Sequence, residues 1–180
     1  MKKTSLFFTL SVIGVMTLLL WSSRVFLTGL AWNNKTTEYM EMLYTLLPGS
    51  VSFTEEIVDM QEGSFVKSAY KSEKGYVIEA VSRGYVGEIT LLVGVDKAGT
   101  VTGLVVRDLE ETYGLGAKAL TDTVFLSQFL NTSGEAALGK EIDALAGATV
   151  TSKAVLQAVN AATAYVTGAD TATQATEWGS

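Results

Sequence analysis

The hydrophobic and polar positions of this 180-residue chain change rhythm several times along its length. Thr4 to Ser23 is a run of 20 residues without a formal charge, rich in Leu, Phe, Val, Ile and Met. About 20 such residues cross the hydrocarbon core of a bilayer as a helix. Thr36 to Leu47 then repeats apolar residues at helical spacing, through Met40, Leu43, Tyr44 and Leu47, and Pro48 ends the pattern. Val51 to Ser72 has no clear period. Its Glu55, Glu56, Asp59 and Glu62 read as a solvated acidic surface, since nothing fixes them as a metal site.

The rhythm becomes two-residue in the centre. Tyr76 to Ser82 and Glu88 to Val95 have strand composition, and Ile89, Leu91, Val93 and Val95 alternate onto one face. Gly84-Tyr85-Val86-Gly87 links these two strands. Asp96-Lys97-Ala98-Gly99 is a turn before a third strand, Val101 to Asp108, which makes an antiparallel hairpin. Helical spacing returns twice. Thr121 to Leu130 reads as a short amphipathic helix facing inward through Val124, Phe125 and Phe129. After a Gly- and Ser-containing connection, Ser152 to Val166 reads as a helix with a stripe of Val155, Ala158, Val159, Ala162 and Val166. The tail from Thr167 is small and polar. These patterns predict an α+β chain: a membrane anchor over residues 1–32, then one domain over 33–180 with a central antiparallel sheet flanked by helices.

Charge gives the anchor a direction. The charged residues of the first 32 positions are Lys2, Lys3 and Arg24, whereas the remainder holds 10 of the 13 basic and all 19 acidic residues. The two leading lysines keep the N-terminus cytoplasmic and send the C-terminal domain to the periplasmic or extracellular side. Trp21 and Trp32 suit the far interface, and Arg24 can snorkel to headgroups. A cleaved signal peptide is the rival, but its apolar region spans only about 7–15 residues. The acidic domain repels phosphate backbones, which argues against a nucleic-acid partner. The chain has no cysteine and no histidine. Disulfides, iron–sulfur clusters, thiolate zinc, histidine-ligated haem and Ser-His-Asp catalysis are therefore excluded, and redox work would need an organic cofactor.

Two stretches carry candidate chemistry. The first is Asp143-Ala144-Leu145-Ala146-Gly147-Ala148-Thr149-Val150-Thr151-Ser152. Small residues lead into a threonine beside a helix start, where backbone N–H groups and a partial positive charge favour an anion. Gly147 and Ala148 allow close approach of a phosphate, and Thr149 offers a hydroxyl there. The plain alternative is a turn and a threonine helix cap. Thr151 and Ser152 either cap the helix or hydrogen-bond the phosphate. The second stretch is Glu111-Thr112-Tyr113-Gly114-Leu115-Gly116, whose two glycines make a turn that can lie close to a flat ligand. Alone it reads as a glycine turn after a strand. Lys118 is a candidate for neutralising phosphate or flavin charge, against the plain reading of a surface lysine.

Together these stretches resemble the covalent FMN-binding domains of the Rnf and Nqr ion-translocating oxidoreductases, most closely in the form found in the Rnf complex. The first resembles the attachment motif Asp-x-x-(Ser/Thr)-Gly-Ala-Thr, matched at Asp143, Gly147, Ala148 and Thr149, with Ala146 where Ser or Thr is usual. The second resembles Glu-Thr-Pro-Gly-Leu-Gly, with Tyr113 in place of proline. Gly84-Tyr85-Val86-Gly87 is similar to the Gly-Tyr-x-Gly entry to the family's core sheet. The resemblance implies FMN joined to Thr149 by a phosphoester bond, installed by a separate flavin transferase. It implies that the Glu111–Gly116 loop lines the flavin site, with Leu115 on the ring and Glu111 and Thr112 touching the ring or shaping the loop. Asp143 would be read by the transferase or cap a turn. The partners implied are the other membrane subunits of an Rnf-type complex, which moves electrons between ferredoxin and NAD coupled to Na⁺ or H⁺ transport. Two rivals stay open: a stand-alone anchored flavoprotein feeding another reductase, and a non-redox assembly module in which Thr149 is only a helix cap.

Overall fold

The computed structural model describes residues 13–24, 37–58, 64–109, 120–134 and 136–169. The chain divides into two compact units, Met1–Met42 and Leu43–Ser180. In the first, residues 13–24 form helix α1, with Ile13, Val15, Met16, Leu18, Leu19, Leu20 and Trp21 exposed. Among the described residues no helix is long and apolar enough to cross a membrane. The first nine residues of the expected Thr4–Ser23 span lie outside the described residues. Helix α2, residues 37–46, contributes its last turn to the second unit.

The second unit is a five-stranded antiparallel sheet in the order β1-β2-β3-β4-β5. Its strands are β1 (Thr54–Glu56), β2 (Val66–Lys71), β3 (Gly75–Arg83), β4 (Glu88–Asp96) and β5 (Val101–Leu109). Strands β3, β4 and β5, with the β4–β5 hairpin, agree with the sequence pattern. Strands β1 and β2 correct it, because Val51 to Ser72 carried no recognised period. The reason is local. β1 is three residues long and lies at the sheet edge, and a register shift between Val66 and Ser68 breaks the alternation in β2.

Alternation assigns each face. Tyr76, Ile78, Ala80 and Ser82 of β3 point to the same side as Ile89, Leu91, Val93 and Val95 of β4, and helix α4 (Thr149–Thr167) covers that side. α4 lies antiparallel to β3. Near its start, the hydroxyl of Ser82 donates to Ala154 O at 2.8 Å. Near its end, Tyr165 packs edge-on against Tyr76 with centroids 6.1 Å apart. Ala154, Ala158, Ala161 and Ala162 are all buried, and their small side chains let the helix lie close to the sheet.

Helix α3 is shorter than expected, Thr123–Ser127, with the Asp122 carboxylate accepting from the N–H groups of Val124 and Phe125. Phe125 and Phe129 are buried edge to face, 5.4 Å between centroids. Val124 does not face inward as the sequence suggested; it is 75% exposed. One residue of helix turns a side chain about 100°, so the face set by Phe125 and Phe129 excludes its neighbour.

On the opposite face the end of α2 lies on the backbone of β4 and β5. Leu43, Leu46 and Leu47 are buried there with Val77 and Leu92. The Thr102 hydroxyl donates to Leu46 O at 2.6 Å. A Cβ added at Gly94 would run into that same carbonyl oxygen. Gly94→Ala must therefore push backbone apart, at a cost of about 1–3 kcal/mol. Denaturant titration of the folded chain checks this; an unchanged midpoint would contradict the close approach.

Candidate functional site

Thr149 is the first residue of α4, and its side chain is exposed. The sequence placed the helix start just beyond it. The structure starts the helix three residues earlier than Ser152, with Ala148 at the N-cap position. Alanine has no side-chain group to accept from the first-turn N–H groups, and no acidic residue lies in that turn. The first backbone donors of a 19-residue helix are thus left with the helix's partial positive charge, about half an elementary charge. Thr149 is not the cap.

The loop before the helix is tied down. The N–H of Ala148 donates to Leu145 O at 2.9 Å, closing a turn over Ala146 and Gly147. Gly147 has φ of +79°, and Ala146 is not among the positive-φ residues. This is type II turn geometry, whose third position needs the left-handed conformation that glycine supplies. The Ser152 hydroxyl donates to Ala148 O at 2.9 Å and accepts from Leu145 N–H at 3.2 Å. Its single O–H is spent on the loop, so here Ser152 acts as a tie and not as a phosphate donor. Thr151 is buried beside it at 1% exposure.

Asp143, at the other end of the loop, is exposed, and its backbone is held by a side chain the sequence did not single out. The Asp143 N–H donates to Gln128 Oε1 at 2.7 Å, and Gln128 Nε2 donates to Asp143 O at 3.3 Å. Lys153 was also missed. It is exposed one turn beyond Thr149, and residues four apart share a helix face. Helical spacing could have found Lys153; nothing local in the sequence marks Gln128.

The second motif, with Glu111, Thr112, Gly114, Leu115, Gly116 and Lys118, lies outside the described residues. What precedes it is clear. β5 is antiparallel to β4, so it runs with β3, and Leu109 pairs with Ile89 beside the β3–β4 turn. The Ser82–Ala154 bond brings the start of α4 to this same end of the sheet. Tyr85 and Val86, in the β3–β4 turn, are exposed there at 77% and 54%.

This donor set fits a phosphate-bearing group: first-turn N–H groups without a side-chain cap, a glycine turn without Cβ bulk, and an exposed hydroxyl at the helix start. Among the described residues no cluster of His, Cys, Asp or Glu could hold a metal ion.

Comparison with known proteins identifies the family. Residues 84–164 match the family model for the FMN-binding domain. The chain is 40% identical over 113 residues to the G subunit of the proton-translocating ferredoxin:NAD(+) oxidoreductase complex of Clostridium ljungdahlii, covering 56% of this chain and 60% of the relative. It is 37% identical over 97 residues to the Na(+)-translocating counterpart of Acetobacterium woodii, covering 48% and 46%. It is 30% identical over 152 residues to the G subunit of the ion-translocating oxidoreductase complex of Shewanella piezotolerans, covering 71% and 72%. The matches to the first two span about half of the chain and roughly half to three-fifths of each relative.

Two measurements check the loop. Gly147→Ala places a Cβ in the left-handed region, at a cost of about 1–2 kcal/mol, and denaturant unfolding should report that loss. The Glu141 carboxylate accepts from Ala137 N–H at 3.0 Å, and this bond is the first cause holding its pKa below the ordinary 4.5. A depressed folded value means that the contact is fully present above the unfolded value and is lost as pH falls through the folded one. The Ala137 amide resonance should therefore titrate with a midpoint below 4.5; a midpoint at or above it contradicts the bond.

Proposed function

Because this chain belongs to the family of G subunits of ion-translocating oxidoreductase complexes, we propose that it is an electron-carrier subunit with FMN joined to Thr149 by a phosphoester bond. The observation that carries the proposal is the exposed threonine hydroxyl at the first position of α4, beside a glycine turn and behind an alanine cap. An ordinary capping threonine would occupy the preceding position and accept from the N–H groups of the first turn. The matched FMN-binding region includes this residue.

Bound there, the flavin would supply the redox chemistry, since it takes two electrons and releases them singly. The chain's own residues bind and orient. First-turn N–H groups face the phosphate, Gly147 keeps the approach clear, and Lys153 adds a cation one turn along. The Glu111–Gly116 stretch, with Leu115, is assigned to the flavin ring, and Lys118 to its charge. Covalent attachment makes cofactor retention independent of affinity, which suits a domain facing outside the cell. The partners in this reading are the other membrane subunits of an Rnf-type complex, which couples ferredoxin and NAD electron transfer to Na⁺ or H⁺ transport. A flavin transferase matures the protein. Residues 1–32 anchor it in the cytoplasmic membrane, with the N-terminus inside and the domain on the outer side.

Expression beside a flavin transferase should add the mass of FMN less one water to the peptide containing Thr149. Thr149→Val should abolish this mass, the yellow colour and in-gel fluorescence. Because the side chain is exposed, unfolding stability should change by only about 0.5 kcal/mol or less. An unmodified wild-type peptide would leave the non-redox assembly reading in its place.

A further inference from the structure

We propose that Gln128 is a positioning residue for the modification of Thr149, its side-chain amide holding the Asp143 peptide group so that Asp143–Thr149 meets the transferase as a preformed loop. The inference rests on the reading of Thr149 as the flavin acceptor.

Gln128 follows α3 and sits between Phe125 and Phe129, both buried and in edge-to-face contact. Its backbone is therefore fixed by the core. From there the amide bonds both polar groups of one backbone residue 15 positions away, at 2.7 Å and 3.3 Å, as a neighbouring strand would. Gln128 thus engages the backbone of Asp143, and the residue itself is exposed. Ile142, the residue before, is fully buried and anchors the loop entry. Ser152 holds Leu145 and Ala148 at the exit. Between these ties, Asp143, Ala144, the Ala146–Gly147 turn and Thr149 are exposed to solvent.

The modification needs that hydroxyl in line with a phosphorus atom. Thr149 Oγ1 attacks the flavin-side phosphorus of a flavin dinucleotide held by the transferase. The new O–P bond forms as the pyrophosphate P–O bond breaks. The adenylate leaves with the bridging oxygen, the hydroxyl proton passes to a base of the transferase, and no electrons are transferred. A loop already in shape spares the transferase the ordering of several backbone residues, so its loss appears first in recognition.

The test uses the full chain, purified unmodified, with a flavin transferase and flavin dinucleotide. Gln128→Met removes both hydrogen bonds while keeping a side chain of similar length. Asn160→Ala removes a comparable bond, from Asn160 Nδ2 to Ala136 O at 2.9 Å, without touching Asp143–Thr149. In Gln128→Met, the Asp143 amide should lose its slow hydrogen exchange. The initial modification rate should fall about ten-fold through a raised KM for the protein substrate, and the end point should remain one flavin per chain. Asn160→Ala should keep the wild-type rate. The inference is overturned if the Asp143 amide exchanges alike in wild type and Gln128→Met, if Gln128→Met is modified at the wild-type rate, or if Asn160→Ala slows the reaction equally. A wild-type chain that is never modified, with the Asp143 amide protected as described, overturns the acceptor reading itself and this inference with it.

Discussion

The seating of α4 on the sheet is the constraint on which the rest depends. One buried hydroxyl and one aromatic pair fix it at its two ends, Ser82 to Ala154 and Tyr76 to Tyr165. Between them the contact is made by alanine and valine, and small side chains permit close approach but give little grip along the axis. The polar and aromatic contacts therefore supply the register. Register in turn sets which end of the sheet receives the helix start, with its unpaired N–H groups and Thr149. Had α4 run the other way, the hydroxyl would lie at the β4–β5 turn, where Gly99 now meets Thr167.

The second face keeps the sheet in place by different means. Leu46 lies against Gly94 and Gly103, and its carbonyl accepts from Thr102, so backbone packs directly on backbone. Farther along, Glu79 is 3% exposed, paired with Arg107 at 2.6 Å and Lys67 at 3.3 Å, and it accepts from the Ser68 hydroxyl at 3.1 Å. Such a cluster adds little net stability, because desolvation offsets the attraction. It penalises a slipped register strongly, since a shift of one residue would strand a buried carboxylate. The two faces divide the labour: one presents the site, and the other fixes the strands that carry it.

The sequence exposed an element where its burial pattern was clean. Ile89, Leu91, Val93 and Val95 alternate without interruption because β4 is central and one face is wholly covered. Val155, Ala158, Val159 and Ala162 repeat because one side of α4 meets the sheet. β1 and β2 escaped because an edge strand buries little and a register shift breaks the period. Val124 was misjudged because a helix of five residues is too short for its apolar positions to define a face.

The site divides in the same way. Local chemistry and order along the chain determined the acceptor candidate, the glycine turn before it and the second glycine motif, since each needs only near neighbours and their intrinsic backbone preferences. Tertiary structure decided the rest. It gave Gln128 its hold on Asp143, and it brought the end of β5 and the start of α4 to one edge of the sheet. Hydrogen bonds between residues 15 and 72 positions apart made these choices. Contacts of that span leave no periodic trace in a sequence, because either partner alone looks like any other polar residue.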